Sequence, residues 1–143
     1  MAVGKAAEHL VCADLLLSGY RAFLSDEGLP YDVLVETGER IMRVQVKATR
    51  QSRNANAKGR NPNNVYVFNV RCRGNRGRQR LSNDHCDIVA LVALDTRQVA
   101  YLAVGEVATT VSLYPSGHQF AGAYKRNRYL RIDELPIEKA LTC

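Results

Sequence analysis

The stretch LPYDVLVETGERIMRVQVKA, residues 29–48, decides the fold. It reads as two antiparallel strands, Tyr31 to Val35 and Arg40 to Ala48, reversing at Thr37-Gly38. In the second strand Met42, Val44 and Val46 alternate with Arg43, Gln45 and Lys47, so one face is apolar and the other polar. A two-residue turn at Thr37 and Gly38 sets Asp32 opposite Arg43 and makes Gln45 its diagonal neighbour. A carboxylate, an amide and an ammonium then share one face, while the apolar residues turn to a core. Asp32, the side-chain oxygen of Gln45 and a backbone carbonyl such as that of Val46 make a partial shell for a hard cation. Mg2+ prefers oxygen ligands and retains several waters. Lys47 stands beside that shell, where a fixed positive charge offsets charge growing on a phosphoryl group. The plainer alternative for Asp32 is an exposed ion pair with Arg43, worth about 0–1 kcal/mol.

Elements on either side extend the hairpin into an α/β pattern. GKAAEHLVCADLLLSGY places Ala6, Ala7, Leu10, Val11, Leu15 and Leu17 at helical spacing, with Gly19 placed to cap the helix. After the hairpin comes a loop rich in Asn and Arg, then VYVFNVRC, Val65 to Cys72, as a third strand. RGNRGRQR follows as an exposed excursion. DIVALVAL, Asp87 to Leu94, is the nearly continuous apolar run of a central strand, and VAYLAV follows the DTRQ turn as another. TVSLY and RYLRI are candidate strands, and Ile137 to Leu141 a short terminal helix. No internal repeat is present.

Charge is concentrated in one segment. Between Ala48 and Asn83 lie nine basic residues (Arg50, Arg53, Lys58, Arg60, Arg71, Arg73, Arg76, Arg78 and Arg80) and no acidic one. The rest of the chain holds eleven basic against fourteen acidic residues, so the net charge of +6 belongs to this segment. Asn54, Asn56, Asn61, Asn63, Asn64 and Asn69 add neutral hydrogen-bonding groups. Cations with amides suit a nucleic acid, phosphates meeting the former and base edges the latter. A solvated basic loop that serves only solubility is the competing reading. Asn69 and Arg71, on the strand face opposite Tyr66 and Phe68, are the candidates for reading bases.

Composition excludes several classes. A length of 143 residues fits one domain, residues 1–143, with a buried core. No apolar run reaches the roughly 18 residues of a membrane span, and MAVGKAAEHL lacks the pattern of a signal peptide. A cytoplasmic protein with no membrane partner is therefore expected. The cysteines at 12, 72, 86 and 143 have neither CxxC spacing nor clustering, so reduced thiols are expected rather than a zinc site or disulfide framework. His9, His85 and His118 are scattered, and SNDHCD lacks the spacing of a His-Asn-His metal finger.

Pro30-Tyr31-Asp32, twelve intervening residues and Gln45-Val46-Lys47 resemble the signature of the PD-(D/E)XK nuclease superfamily. That signature is an acid at the start of one strand and an acid-X-Lys triplet on the next. A tyrosine here separates Pro30 from Asp32, and Gln45 replaces the usual acid. Glutamine at this position, and the helix-first order, are similar to the branch containing small group I intron homing endonucleases. The resemblance implies a restriction-endonuclease-like α/β core, a mixed central sheet of four or five strands flanked by helices. It implies DNA phosphodiester hydrolysis with Mg2+, Mn2+ substituting. Asp32, Gln45, Val46 and Glu8 would be metal ligands, and Asp32, Gln45, Lys47 and Glu8 the catalytic set. Glu8 otherwise pairs with Lys5 one helical turn earlier. Cutting two strands calls for a homodimer or homotetramer. A Holliday-junction resolvase-like nuclease and a nucleic-acid-binding module without catalysis are the alternatives left open.

Overall fold

The computed structural model describes residues 2–54, 64–74, 77–119 and 130–142. The chain opens with α1, Val3–Leu17. Ala7, Val11 and Leu15 recur every four residues and form one fully buried stripe. Gly19 ends the helix at φ +94°. The Tyr20 amide donates to the Leu15 carbonyl (3.0 Å) and the Gly19 amide to that of Leu16 (3.1 Å), a Schellman closure that favours glycine.

β1 (Arg21–Leu24), β2 (Val33–Glu36) and β3 (Ile41–Thr49) follow in antiparallel succession. β4 (Arg53–Asn54), β5 (Asn64–Asn69), β6 (Arg71–Gly74) and β7 (Gly77–Arg80) occupy the basic segment. β8 (Ile88–Ala93) pairs parallel with β3 and antiparallel with β9 (Gln98–Ala103), giving a mixed sheet in the order β1-β2-β3-β8-β9. β10 (Thr110–Leu113) joins β5 and β4 in a small sheet, and β6 and β7 form a two-stranded ribbon. The short helix α2, Ile137–Leu141, ends the described elements.

β8 explains the arrangement of the layers. All six of its residues are buried. Ile88, Ala90 and Val92 join the core beneath α1 and α2, whereas Val89, Leu91 and Ala93 join a second core with Tyr66 and Phe68 of β5. A strand covered on both faces needs no polar alternation, hence the unbroken apolar run. Both helices lie on one face of the large sheet, and the small sheet covers the other. Tyr101 ties the helical layer down, its hydroxyl donating to Asp14 Oδ2 at 2.6 Å.

Several expectations are corrected. The hairpin reversal is centred on Gly38 and Glu39, not on Thr37 and Gly38. Gly38 takes φ +89°, and the Thr37 amide donates to the Arg40 carbonyl at 3.0 Å. Glycine at the first central position belongs to a II′-like turn. Moving the turn centre by one residue shifts the pairing by two, so Leu34 faces Arg43 and every side chain keeps its face. VYVFNVRC is not one strand. It breaks at Val70, whose amide donates to the Thr109 carbonyl at 2.9 Å, and passes from the small sheet to the ribbon. The end of RYLRI forms a bridge from Arg131 to Tyr114 and then a 3-10 turn at Ile132–Glu134, the remainder lying outside the described residues apart from Leu130. β1, β4 and β7 are additional strands, β7 lying within the RGNRGRQR stretch read as an excursion.

Candidate active site

Asp32 directly precedes β2 and acts as its terminal bracket to β3. Its amide donates to the Val44 carbonyl at 2.8 Å. Its Oδ2 accepts Gln45 Nε2 and the Val46 amide, both at 2.8 Å. Asp32 therefore faces Gln45 and not Arg43, because of the shifted turn. An amide and a carbonyl of one strand residue point to the same edge, so the Val46 carbonyl also lies on the Asp32 side. Arg43 is engaged elsewhere. Its Nε and Nη2 each lie 3.2 Å from the Asp87 carboxylate, and it also donates to the Asn83 and Asp84 carbonyls. The Asp32–Arg43 ion pair does not form.

Burial raises the Asp32 carboxyl above its ordinary range, and the Glu8 charge adds to the rise. The Val46 amide, Lys47 and Lys5 act in the opposite direction. Glu8, on α1, pairs with Lys5 Nζ at 3.0 Å while its charge reaches Asp32. Two carboxylates thus repel across a half-buried space, a condition that an added cation relieves. Among the described residues no three His, Cys, Asp or Glu side chains gather into a metal cage. The available donors are one carboxylate from each of Asp32 and Glu8, with neutral oxygens from Gln45 and Val46. Asp32 Oδ1 accepts no hydrogen bond among the described residues, both of its carboxylate's bonds falling on Oδ2. This oxygen-only set fits a hard divalent ion.

Lys47 leads away from this pocket into the basic segment. Its Nζ donates to the Arg71 carbonyl at 3.1 Å. It lines a cleft of about 410 Å³ with Asn69, Arg71, Cys72 and Arg78. Asn69 and Arg71 also wall a second cleft of about 440 Å³, completed by Thr49, Gln51, Arg53, Val67 and Thr110. Among the described residues, neither cleft has an acidic lining residue.

Of the other predicted contacts, Arg50 is exposed at the bend after β3, and Arg53 is exposed on β4 opposite Val65. Arg73 lies opposite Arg78 in the ribbon register. Arg80 is partly committed to structure, its Nε donating to the Val107 carbonyl at 3.2 Å. Lys58, Arg60 and Arg76 lie outside the described residues. His85 has a bracing role: its Nδ1 accepts the Ser82 amide at 3.1 Å, and its Nε2 lies 3.6 Å from Cys72 Sγ. Thr49, Gln51 and Thr110 line a cleft without standing out in the sequence. Thr110 is placed by its pairing with Asn69 across the β5–β10 ladder, a proximity that local periodicity does not reveal.

No protein-family model matches the sequence, and no curated protein does. The chain has a homing-endonuclease-like α/β fold. The likeness is to the solved structure of the bacterial homing endonuclease I-Ssp6803I. It has a TM-score of 0.61 and 15% identity, and covers 87% of this chain and 84% of that one.

Proposed function

We propose that this protein is a Mg2+-dependent DNA endonuclease of PD-(D/E)XK type, Mn2+ substituting, that cuts duplex DNA at preferred sites. One observation carries the proposal. Asp32 is bracketed by Gln45 and Val46, and two residues beyond Gln45 the side chain of Lys47 opens into a cleft whose described lining holds Arg71 and Arg78 and no acid. The likeness to a homing endonuclease supports it.

Asp32, Glu8, Gln45 and the Val46 carbonyl would hold the ion. When bound, a divalent ion lowers the pKa of water and offsets charge on a phosphoryl group. Gln45 and the Val46 amide fix the Asp32 carboxylate through Oδ2, leaving Oδ1 without a hydrogen bond among the described residues. Lys47 is near enough to the cleft to exchange its carbonyl partner for a phosphate oxygen, adding positive charge where the transition state gains negative charge. Arg71 and Arg78 hold the flanking backbone, and a homodimer or homotetramer presents one site to each strand.

The test is incubation of purified protein with duplex, single-stranded and four-way-junction DNA, in Mg2+ or EDTA. Duplex cleavage in Mg2+ alone is expected. Asp32→Asn should lower the rate at least about 100-fold, with binding in EDTA retained. Equal cleavage by parent and variant would remove the assignment. Preference for the junction would identify a resolvase, and binding without cleavage in any metal would identify the inactive module.

A further inference from the structure

The two clefts share Asn69 and Arg71 but differ in chemistry. Three of the five described residues lining the cleft at Lys47 are cations. The distal cleft has two cations among its seven described lining residues, with Thr49, Gln51, Asn69 and Thr110 as neutral polar groups and Val67 as an apolar one. Cations hold phosphates without reading sequence, whereas amides and hydroxyls match the donors and acceptors of base edges.

The fold prepares this distal surface. Asn69 and Thr110 are directly opposed on β5 and β10, both exposed, while Tyr66 and Phe68 anchor the reverse face of β5 in the core. β4 pairs only with Asn64 and Val65, so from Tyr66 to Asn69 the small sheet narrows, among the described residues, to the β5–β10 pair. A two-stranded element of that width fits the major groove, about 12 Å wide. Gln51 lies at the bend after β3, where the Thr49 hydroxyl donates to the Gln51 carbonyl at 3.4 Å and the Thr49 carbonyl accepts the Leu94 amide at 2.9 Å. The bend is thereby tied to the rigid centre of the large sheet.

We propose that the distal cleft reads base edges in duplex DNA, with Gln51 and Asn69 as the specificity-determining side chains. The proximal cleft holds phosphate. Placement of the cut beside Lys47 rests on the nuclease reading; base reading itself does not. At about 3.3 Å per strand residue and 3.4 Å per base step, Thr49 stands about two base pairs from the phosphate at Lys47, and Gln51, past the end of β3, within about four.

Selection from a randomised duplex library in EDTA tests the base reading without requiring cleavage. The parent should enrich a short motif. Gln51→Ala and Asn69→Ala should each broaden it at one or two positions, with discrimination there falling about 5- to 150-fold and affinity for random duplex changing less than about twofold. Arg78→Ala should weaken all sequences equally and keep the motif. Thermal melting checks that each variant is folded. The proposal is overturned if the parent enriches nothing, if it prefers RNA, or if both amide variants retain the parental motif. Cleavage in Mg2+ then locates the broadened positions, and a separation beyond about four base pairs overturns the placement. A parent that enriches the motif yet never cuts refutes the nuclease reading and leaves base reading standing.

Discussion

β8 and β7 are opposites. Every residue of β8 is buried, and every residue of β7 is exposed. β8 supplies two cores at once and holds the candidate site's strand, β3, by parallel pairing. β7 pairs with β6 in a ribbon whose described side chains include Arg71, Arg78 and Arg80. Like charges placed together on an exposed ribbon bring little to folding, since exposed charges interact weakly in water. Under the proposed function their chemistry is directed at a partner that brings negative charge. On that reading one strand serves stability and the other binding, and substitutions should separate the two.

The largest effect should come from β8. Leu91→Ala removes a fully buried side chain from the second core and should cost about 2–5 kcal/mol in urea unfolding. A smaller loss would mean that β5 collapses into the vacated space. Tyr101→Phe should come next, at about 1–3 kcal/mol, because Asp14 loses the hydroxyl bonded to it at 2.6 Å. An unchanged midpoint would show that α1 docks through apolar packing alone.

Asp32 lies between the two regimes. Its raised carboxyl pKa means that the fold favours the protonated form. The associated stability is fully present below the unfolded-state pKa and is lost as pH rises through the folded-state value. Asp32→Asn should therefore melt higher than the metal-free parent at neutral pH, the gap closing in acid. A gap independent of pH would place its cause in packing. Activity in Mg2+ should follow the reverse course, rising as Asp32 ionises.

The smallest effect on stability should be at the ribbon. Arg71→Ala with Arg78→Ala should change unfolding free energy by less than about 0.5 kcal/mol for each residue. The same pair should flatten the slope of log affinity against log salt by about 0.9 for each phosphate that the variant no longer neutralises. An unaltered slope would move the backbone surface away from the ribbon. A large drop in stability would erase its contrast with β8.

Sequence carries the signals that depend on near neighbours. The apolar run of β8, the alternation of β3 and the helical stripe of α1 each record which side chains meet a core. Asp32, Gln45 and Lys47 share a face by parity alone, and that survives the shifted register because a two-residue change preserves parity. The register itself is not legible because Gly38 could serve at either turn position, and only its positive φ at the first selects the pairing. β1 is hidden for another reason: it is a four-residue edge strand with three exposed residues, whose Phe23 and Leu24 trace no buried face. Thr110 and Gln51 become cleft residues only through the meeting of distant strands.

The parallel pairing of β3 with β8 has a further consequence for the history of such a chain. Parallel neighbours require a long crossover, and here that crossover contains β4 to β7. Lengthening a flexible loop is cheap, each doubling costing only about 0.6 kcal/mol in closure entropy. The β6–β7 ribbon can therefore be extended or shortened at its Gly74 and Gly77 end while the hairpin bearing Asp32 and Lys47 keeps its place against β8. Its base is held by Cys72 on the second core and by the Arg71 carbonyl that accepts Lys47 Nζ. β5 has no such freedom, because Tyr66 and Phe68 fill the second core. Under the proposed function, a lineage could acquire new targets by remodelling the end of the ribbon and the surface of the small sheet while Asp32, Gln45 and Lys47 stay in place.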